Sequence, residues 1–125
     1  MAPKPIVRPL VVVVDDDPAV RGSLTFSLEL DGFDVEAFES GEALLLRQLP
    51  ARPTCLVLDQ KLPGISGLEA LRQLRLRKVK SPAILITSHP QRSVVEAAAQ
   101  AGVPIVEKPL LGDALVRDIH RALTT

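Results

Sequence analysis

The residues equipped for chemistry are Asp15-Asp16-Asp17, Asp59, Thr87-Ser88 and Lys108. Carboxylates about 4 Å apart repel by roughly 4 kcal/mol at an effective dielectric of 20, so Asp15, Asp16 and Asp59, if they share one pocket, need compensation. A hard divalent cation supplies it. Mg2+ takes one or two carboxylates and keeps its other positions for water and phosphate oxygens. Asp16 and Asp59 are then the direct ligands, with Asp15 acting through water. A carboxylate can also attack phosphorus to give an aspartyl phosphate, while a lysine and a hydroxyl hold the transferred group; Lys108 and Thr87 have the right chemistry. Each residue alone also has a plain explanation: Asp17 before Pro18 is a helix N-cap, Thr87 begins a turn, and Lys108 is a surface lysine. The reading rests on their convergence.

The elements between these residues make that convergence a topological expectation. Leu10–Val14 is an unbroken run of branched apolar residues stopping at Asp15, the pattern of a strand buried on both faces. Runs of the same character recur at 55–58, 83–86 and 105–106, each followed by polar or turn residues. A fifth strand, 33 to 38, places Phe33, Val35 and Ala37 on one face and Asp34 and Glu36 on the other, as suits a sheet edge. Helical patterns fill the gaps: Pro18–Leu30, 41 to 49, a segment opening at Ser66 with capping-box spacing to Glu69, Arg92–Ala101 ended by Gly102, and 112 to 123. Five alternations of strand and helix give an α/β fold with parallel strands and helices on both faces. Ligand sites in such sheets lie beyond the carboxyl ends of the strands, where Asp15–Asp17, Asp59, Thr87 and Lys108 all fall.

Length and composition bound the function classes. The chain has 125 residues, 46% of them hydrophobic, enough for one domain with a core; a flexible N-terminal tail is expected over 1–9 and the folded domain over 10–125. Its 15 Lys and Arg balance 15 Asp and Glu, with no basic tract interleaved with aromatics, which argues against direct nucleic-acid binding. The polar, proline-containing start is unlike a signal peptide, and no apolar run approaches the roughly 20 residues that span a bilayer, so a cytoplasmic protein without a membrane segment is expected. Cys55 is read as a buried small hydrophobe. His120 is placed on a helix face and given no function.

Together, Val14-Asp15-Asp16-Asp17-Pro18, Leu58-Asp59, Leu62-Pro63-Gly64, Ser66-Gly67, Ile86-Thr87-Ser88 and Glu107-Lys108-Pro109 resemble the receiver domains of bacterial two-component response regulators, in the family's order from 10 to 123. The opening from Val14 to Arg21 is similar to receivers of the nitrogen-fixation regulator type. The resemblance implies a chemotaxis-regulator-like, flavodoxin-like (βα)5 three-layer sandwich with parallel sheet order 2-1-3-4-5. It implies a signalling switch that accepts a phosphoryl group on Asp59 from a histidine kinase or phosphotransfer protein. Mg2+ or Mn2+ is then held by Asp16, Asp59 and the backbone carbonyl of Lys61, alongside Asp15. Thr87 moves to the phosphoryl group, Lys108 pairs with it, and the Lys108-Pro109 bond is cis. Small Ser88 leaves the group reachable, and Lys61 and His89 either tune its lifetime or are ordinary loop residues. Such a receiver catalyses its own phosphorylation and dephosphorylation and is not a metabolic enzyme. An output domain and a homodimer are both compatible.

One departure bears on the switch. The family places Phe or Tyr three residues before the lysine, where this chain has Ile105, so the usual aromatic rotation is unavailable. Coupling through Thr87 and the loop to Arg92 is the expected substitute. Three rival readings compete with this one. A degenerate receiver acting only as a protein-binding module fits Ile105 but not the complete set of reactive residues. A haloacid-dehalogenase-type phosphohydrolase needs an acid two residues after its nucleophile, where this chain has Lys61. A flavodoxin-like cofactor carrier ranks lower, because the acidic pocket repels a flavin phosphate.

Overall fold

The computed structural model describes residues 7–110 and 112–124. Five parallel strands run in the order β2-β1-β3-β4-β5: β1 (Leu10–Val14), β2 (Asp34–Phe38), β3 (Thr54–Asp59), β4 (Ala83–Thr87) and β5 (Ile105–Glu107). The helices between them are α1 (Pro18–Leu30), α2 (Gly41–Leu45), α3 (Gly67–Leu76), α4 (Arg92–Ala101) and α5 (Ala114–Thr124). This is the flavodoxin-like architecture expected. β1, β3 and β4 are buried along their whole length, as central parallel strands covered by helices must be.

The side-chain alternation of the central strands sorts the core into two layers. Val12, Val14, Leu56, Leu58 and Leu85 pack against Leu44 of α2, Leu71 and Leu74 of α3 and Ala98 of α4. Val11, Val13, Cys55, Val57, Ile84 and Ile86 face Leu24 and Leu28 of α1 and Leu115 and Ile119 of α5. Successive residues point to opposite faces, so an unbroken apolar run serves both layers at once. Cys55 is fully buried, which pushes its thiol pKa up to about 12 and leaves it unreactive.

Local signals explain most boundaries. Asp17 caps α1 by accepting from the Ala19 N–H at 2.9 Å, with Pro18 in the first turn. Ser66 caps α3 through the Glu69 N–H at 3.1 Å, while the Glu69 carboxylate turns to Arg72. Gly102, at φ 70°, ends α4 in the left-handed region.

Four expectations need correction. α2 stops at Leu45 rather than 49: the Leu46 and Arg47 N–H groups donate to the Ala43 and Leu44 carbonyls in tight turn bonds that end the α-helical ladder. α5 starts at Ala114 rather than 112, because Gly112 has φ 73°. Phe33 precedes β2 and is buried, its ring 5.0 Å from that of exposed His120, while Ala37 is exposed. β5 is the second edge strand, with Ile105 and Val106 only half-buried. Of the expected N-terminal tail, 1–6 lie outside the described residues; Pro9 accepts from the Asp34 N–H.

Candidate functional site

The carboxyl ends of β1, β3, β4 and β5 deliver the reactive residues to one rim. Asp15 follows β1 directly, and its N–H donates to the Phe38 carbonyl, prolonging the pairing with β2 by one residue. That fixes a carboxylate with no exposed surface. Asp59 is the last residue of β3 and 4% exposed; Thr87 is the last of β4 and also buried. The Lys108 N–H donates to the Thr87 carbonyl at 2.9 Å, so the backbone next to one reactive side chain is tied to the other.

At the centre, Lys108 Nζ donates to Asp15 Oδ2 and to Asp59 Oδ2, each at 3.0 Å. The remaining oxygens are partly satisfied by backbone: Asp15 Oδ1 accepts from the Asp17 N–H at 2.9 Å, and Asp59 Oδ1 from the Lys61 N–H at 3.3 Å. Asp16 stands exposed beside them, and one carboxylate oxygen from each of Asp15, Asp16 and Asp59 lies within 4.8 Å of the others.

Burial pushes the Asp59 carboxyl pKa above its ordinary range. The hydrogen bond from Lys108 works against this, the charge of Asp15 adds to it, and Lys108's charge and the Lys61 N–H oppose it more weakly. For Lys108, burial pulls the pKa down, but the hydrogen bonds to Asp15 and Asp59 outweigh it and the net shift is upward. The lysine therefore stays cationic. Three carboxylates against one ammonium leave two excess negative charges, and Asp16 opens that deficit to solvent. An all-oxygen donor set with two charges to neutralise fits a hard divalent cation.

The loop after β3 is held by contacts that the sequence reading did not single out. The Gln60 N–H donates to Ile86, its carbonyl accepts from the Gly67 N–H, and its side-chain oxygen accepts from the Leu68 N–H at 3.0 Å. Gly67 packs so tightly that a Cβ there would lie 2.5 Å from the Asp59 carbonyl oxygen. Glu42, at the start of α2, accepts from the Ile65 N–H at 3.1 Å and closes the other side of the loop. Arg21 donates to the Asp15 carbonyl at 2.7 Å. Gly64-x-Ser66-Gly67 was the available signal for the tight loop; nothing local marks Glu42 or Arg21.

The other expected positions are spread around the rim. Lys61, Ser88 and His89 are exposed. Ile105 pairs with Leu85 and packs against the core on the α2–α4 side. The Lys108-Pro109 bond is cis, and Pro109 is exposed. The Thr87 hydroxyl makes no side-chain hydrogen bond among the described residues.

A family model described as the response regulator receiver domain matches residues 11–120. This chain belongs to that family. The receiver is 39% identical over 113 residues to the transcriptional regulatory protein FixJ of Rhizobium meliloti, covering 90% of this chain and 55% of FixJ. It is 37% identical over 114 residues to the C4-dicarboxylate transport transcriptional regulatory protein DctD of Pseudomonas aeruginosa, covering 90% of this chain and 25% of DctD. Among solved structures, the FixJ-N crystal structure superposes with a TM-score of 0.85 at 36% identity, covering 95% of this chain and 96% of that one. The BeF3-activated DrrB receiver domain does so with 0.82 at 28%, covering 95% and 100%. The receiver thus spans about half the length of FixJ and a quarter of DctD. Among the described residues, no helix is long and apolar enough to cross a membrane. The family is one of signalling receivers, not of metabolic enzymes, and Asp15, Asp16 and Asp59 form its acidic pocket.

Proposed function

We propose that this receiver is a phosphorylation-dependent switch in a two-component phosphorelay, with Asp59 as the phosphoacceptor and residues 10–125 as the folded unit. The observation carrying this reading is the pairing of Lys108 Nζ with both Asp15 and Asp59 at 3.0 Å beside an exposed Asp16. An Asp59 carboxylate oxygen attacks the phosphorus of a donor phosphohistidine; the P–O bond forms as the P–N bond breaks, and the imidazole leaves with the electron pair. Lys108, held cationic by its two carboxylates, favours the ionised form of Asp59 against burial and moves with the charge onto the phosphoryl group. The uncommitted Thr87 hydroxyl donates to a second phosphoryl oxygen.

Asp16, Asp59 and the Lys61 carbonyl, with Asp15 behind them, are the residues to hold Mg2+ or Mn2+, which when bound neutralises charge on the transferring group. Ser88 leaves space beside the site, while Lys61 and His89 stand where side chains tune access of water. With Ile105 in place of an aromatic ring, reorientation of Thr87 reaches the surface through residues 88–91 and the start of α4. The donor is a histidine kinase or phosphotransfer protein in the cytoplasm, and the output belongs to a linked domain or partner protein.

Intact mass after incubation with acetyl phosphate and Mg2+ tests the reading. It predicts one labile phosphoryl adduct, absent after chelation and absent in Asp59→Asn. A wild type that stays unmodified overturns it in favour of a receiver that only binds proteins.

A further inference from the structure

We propose that the leucine-lined, basic-rimmed groove between the ends of α2 and α3 docks an acidic segment of a partner protein carrying apolar anchors. The groove is a cavity of about 510 Å³ whose lining includes Leu45, Leu46, Leu49, Leu74, Arg77 and Lys80. α3 begins against Asp59 and runs back along the sheet for ten residues, so its end lies about 15 Å from the acidic pocket at 1.5 Å per residue. The surface is therefore separate from the phosphoryl site.

Two features distinguish it from ordinary surface. Leu46 is 89% exposed and Leu76, at the same end of α3, 68%. Around them, 72–80 holds five of the chain's 15 Lys and Arg, and no acid occurs between Glu69 and Glu96. Arg72 pairs with Glu69, but among the described residues no carboxylate lies within 4.0 Å of Arg75, Arg77, Lys78 or Lys80. In a chain of zero net charge, cations without a carboxylate partner are concentrated at this end, Arg75 and Arg77 donating only to the Val79 and Leu45 carbonyls, while Asp15, Asp16 and Asp59 cluster at the other.

The helix dipole accounts for Arg75 in the last turn of α3, but Lys78 and Lys80 lie beyond the helix. Lys78 is, moreover, the only non-glycine residue with positive φ among the described residues, at 67°. Glycine occupies that conformation without a Cβ clash, so a lysine there keeps its charge at a conformational cost.

Charge complementarity selects an acidic occupant. A second copy related by a two-fold axis would set this basic rim against itself. The chain has no Trp or Tyr, and no aromatic side chain lines the groove to stack a base. A concave, leucine-lined floor takes side-chain anchors, as in helix-in-groove recognition, better than it takes a flat lipid surface.

The probe is a labelled amphipathic peptide with Leu at i, i+3, i+4 and i+7 and Glu elsewhere, followed by fluorescence anisotropy at low salt. Binding is expected, with amide shifts confined to 45–50 and 74–81. It should weaken at least tenfold in Leu46→Glu and in Lys80→Glu, yet stay unchanged in Arg117→Glu on α5. Lys78→Gly should raise the melting temperature and still weaken binding several-fold. No binding, equal loss in Arg117→Glu, unchanged binding in Lys78→Gly, or tighter capture by phosphatidylserine vesicles than by the peptide would overturn the proposal.

Discussion

Lys108 Nζ donates to Asp59 Oδ2 at 3.0 Å across 49 residues of sequence, and the same nitrogen reaches Asp15 Oδ2 at 3.0 Å. One cation thus separates two buried carboxylates. Removing one partner of a buried pair costs about 3–5 kcal/mol, and the partial exposure of Lys108 brings the expectation for Lys108→Met to about 1–3 kcal/mol. Adding Asp15→Asn should recover part of that loss, so the double variant is more stable than the sum of the singles. Because the Lys108 pKa is raised, its stabilisation is complete below its ordinary value of 10.5 and disappears as pH rises through the folded value. Denaturant melts of the four proteins in chelated buffer, at neutral and alkaline pH, check both statements.

Asp59 shows linkage of the same sign in the acid range. Its folded pKa lies above the ordinary 3.8 because burial disfavours the charged form, so the native state holds this proton more tightly than the unfolded chain does. Ionising it therefore lowers stability as pH rises from 3.8 through the folded value. In metal-free buffer, Asp59→Asn should be more stable than wild type at neutral pH, with the gap closing towards pH 4. A gap that widens on acidification would contradict the burial argument.

Glu42 and Gly64 report on the loop that carries Lys61. A Cβ at Gly64 would meet Glu42 Oε2 at 2.1 Å, and Gly64 also has φ 77°, so Gly64→Ala should destabilise. Glu42→Ala strips the Ile65 N–H of its partner and should cost about 1 kcal/mol. The two effects should not add, since removing Glu42 also relieves the clash, and a double-mutant cycle by thermal melts measures the difference.

The α/β order and the sheet-edge position of the acids were legible because central parallel strands are apolar on both faces and end abruptly at charge. Leu10–Val14 followed by Asp15 carries that information in six residues. β5 was misread for a related reason: Ile105 and Val106 look like a buried run, but with only three residues at the sheet edge they lack a second neighbour. The end of α2 depended on turn bonds from Leu46 and Arg47, and the start of α5 on the backbone of Gly112, whose positive φ composition does not reveal. Grouping Lys108 with the acids was accessible from strand ends, but its equal division between Asp15 and Asp59 is a matter of reach. Glu42 and Arg21 were illegible because they act on backbone atoms distant in the chain or at the end of another element.

The identity of the phosphoacceptor is tested most directly by trapping. After treatment with acetyl phosphate and Mg2+, borohydride reduces an aspartyl phosphate to homoserine, and peptide mass spectrometry reads its position. The account predicts homoserine at position 59 alone. Homoserine at position 15 or 16 would contradict the assignment of Asp59, and its absence from a protein that carries a phosphoryl adduct would contradict the acylphosphate chemistry itself.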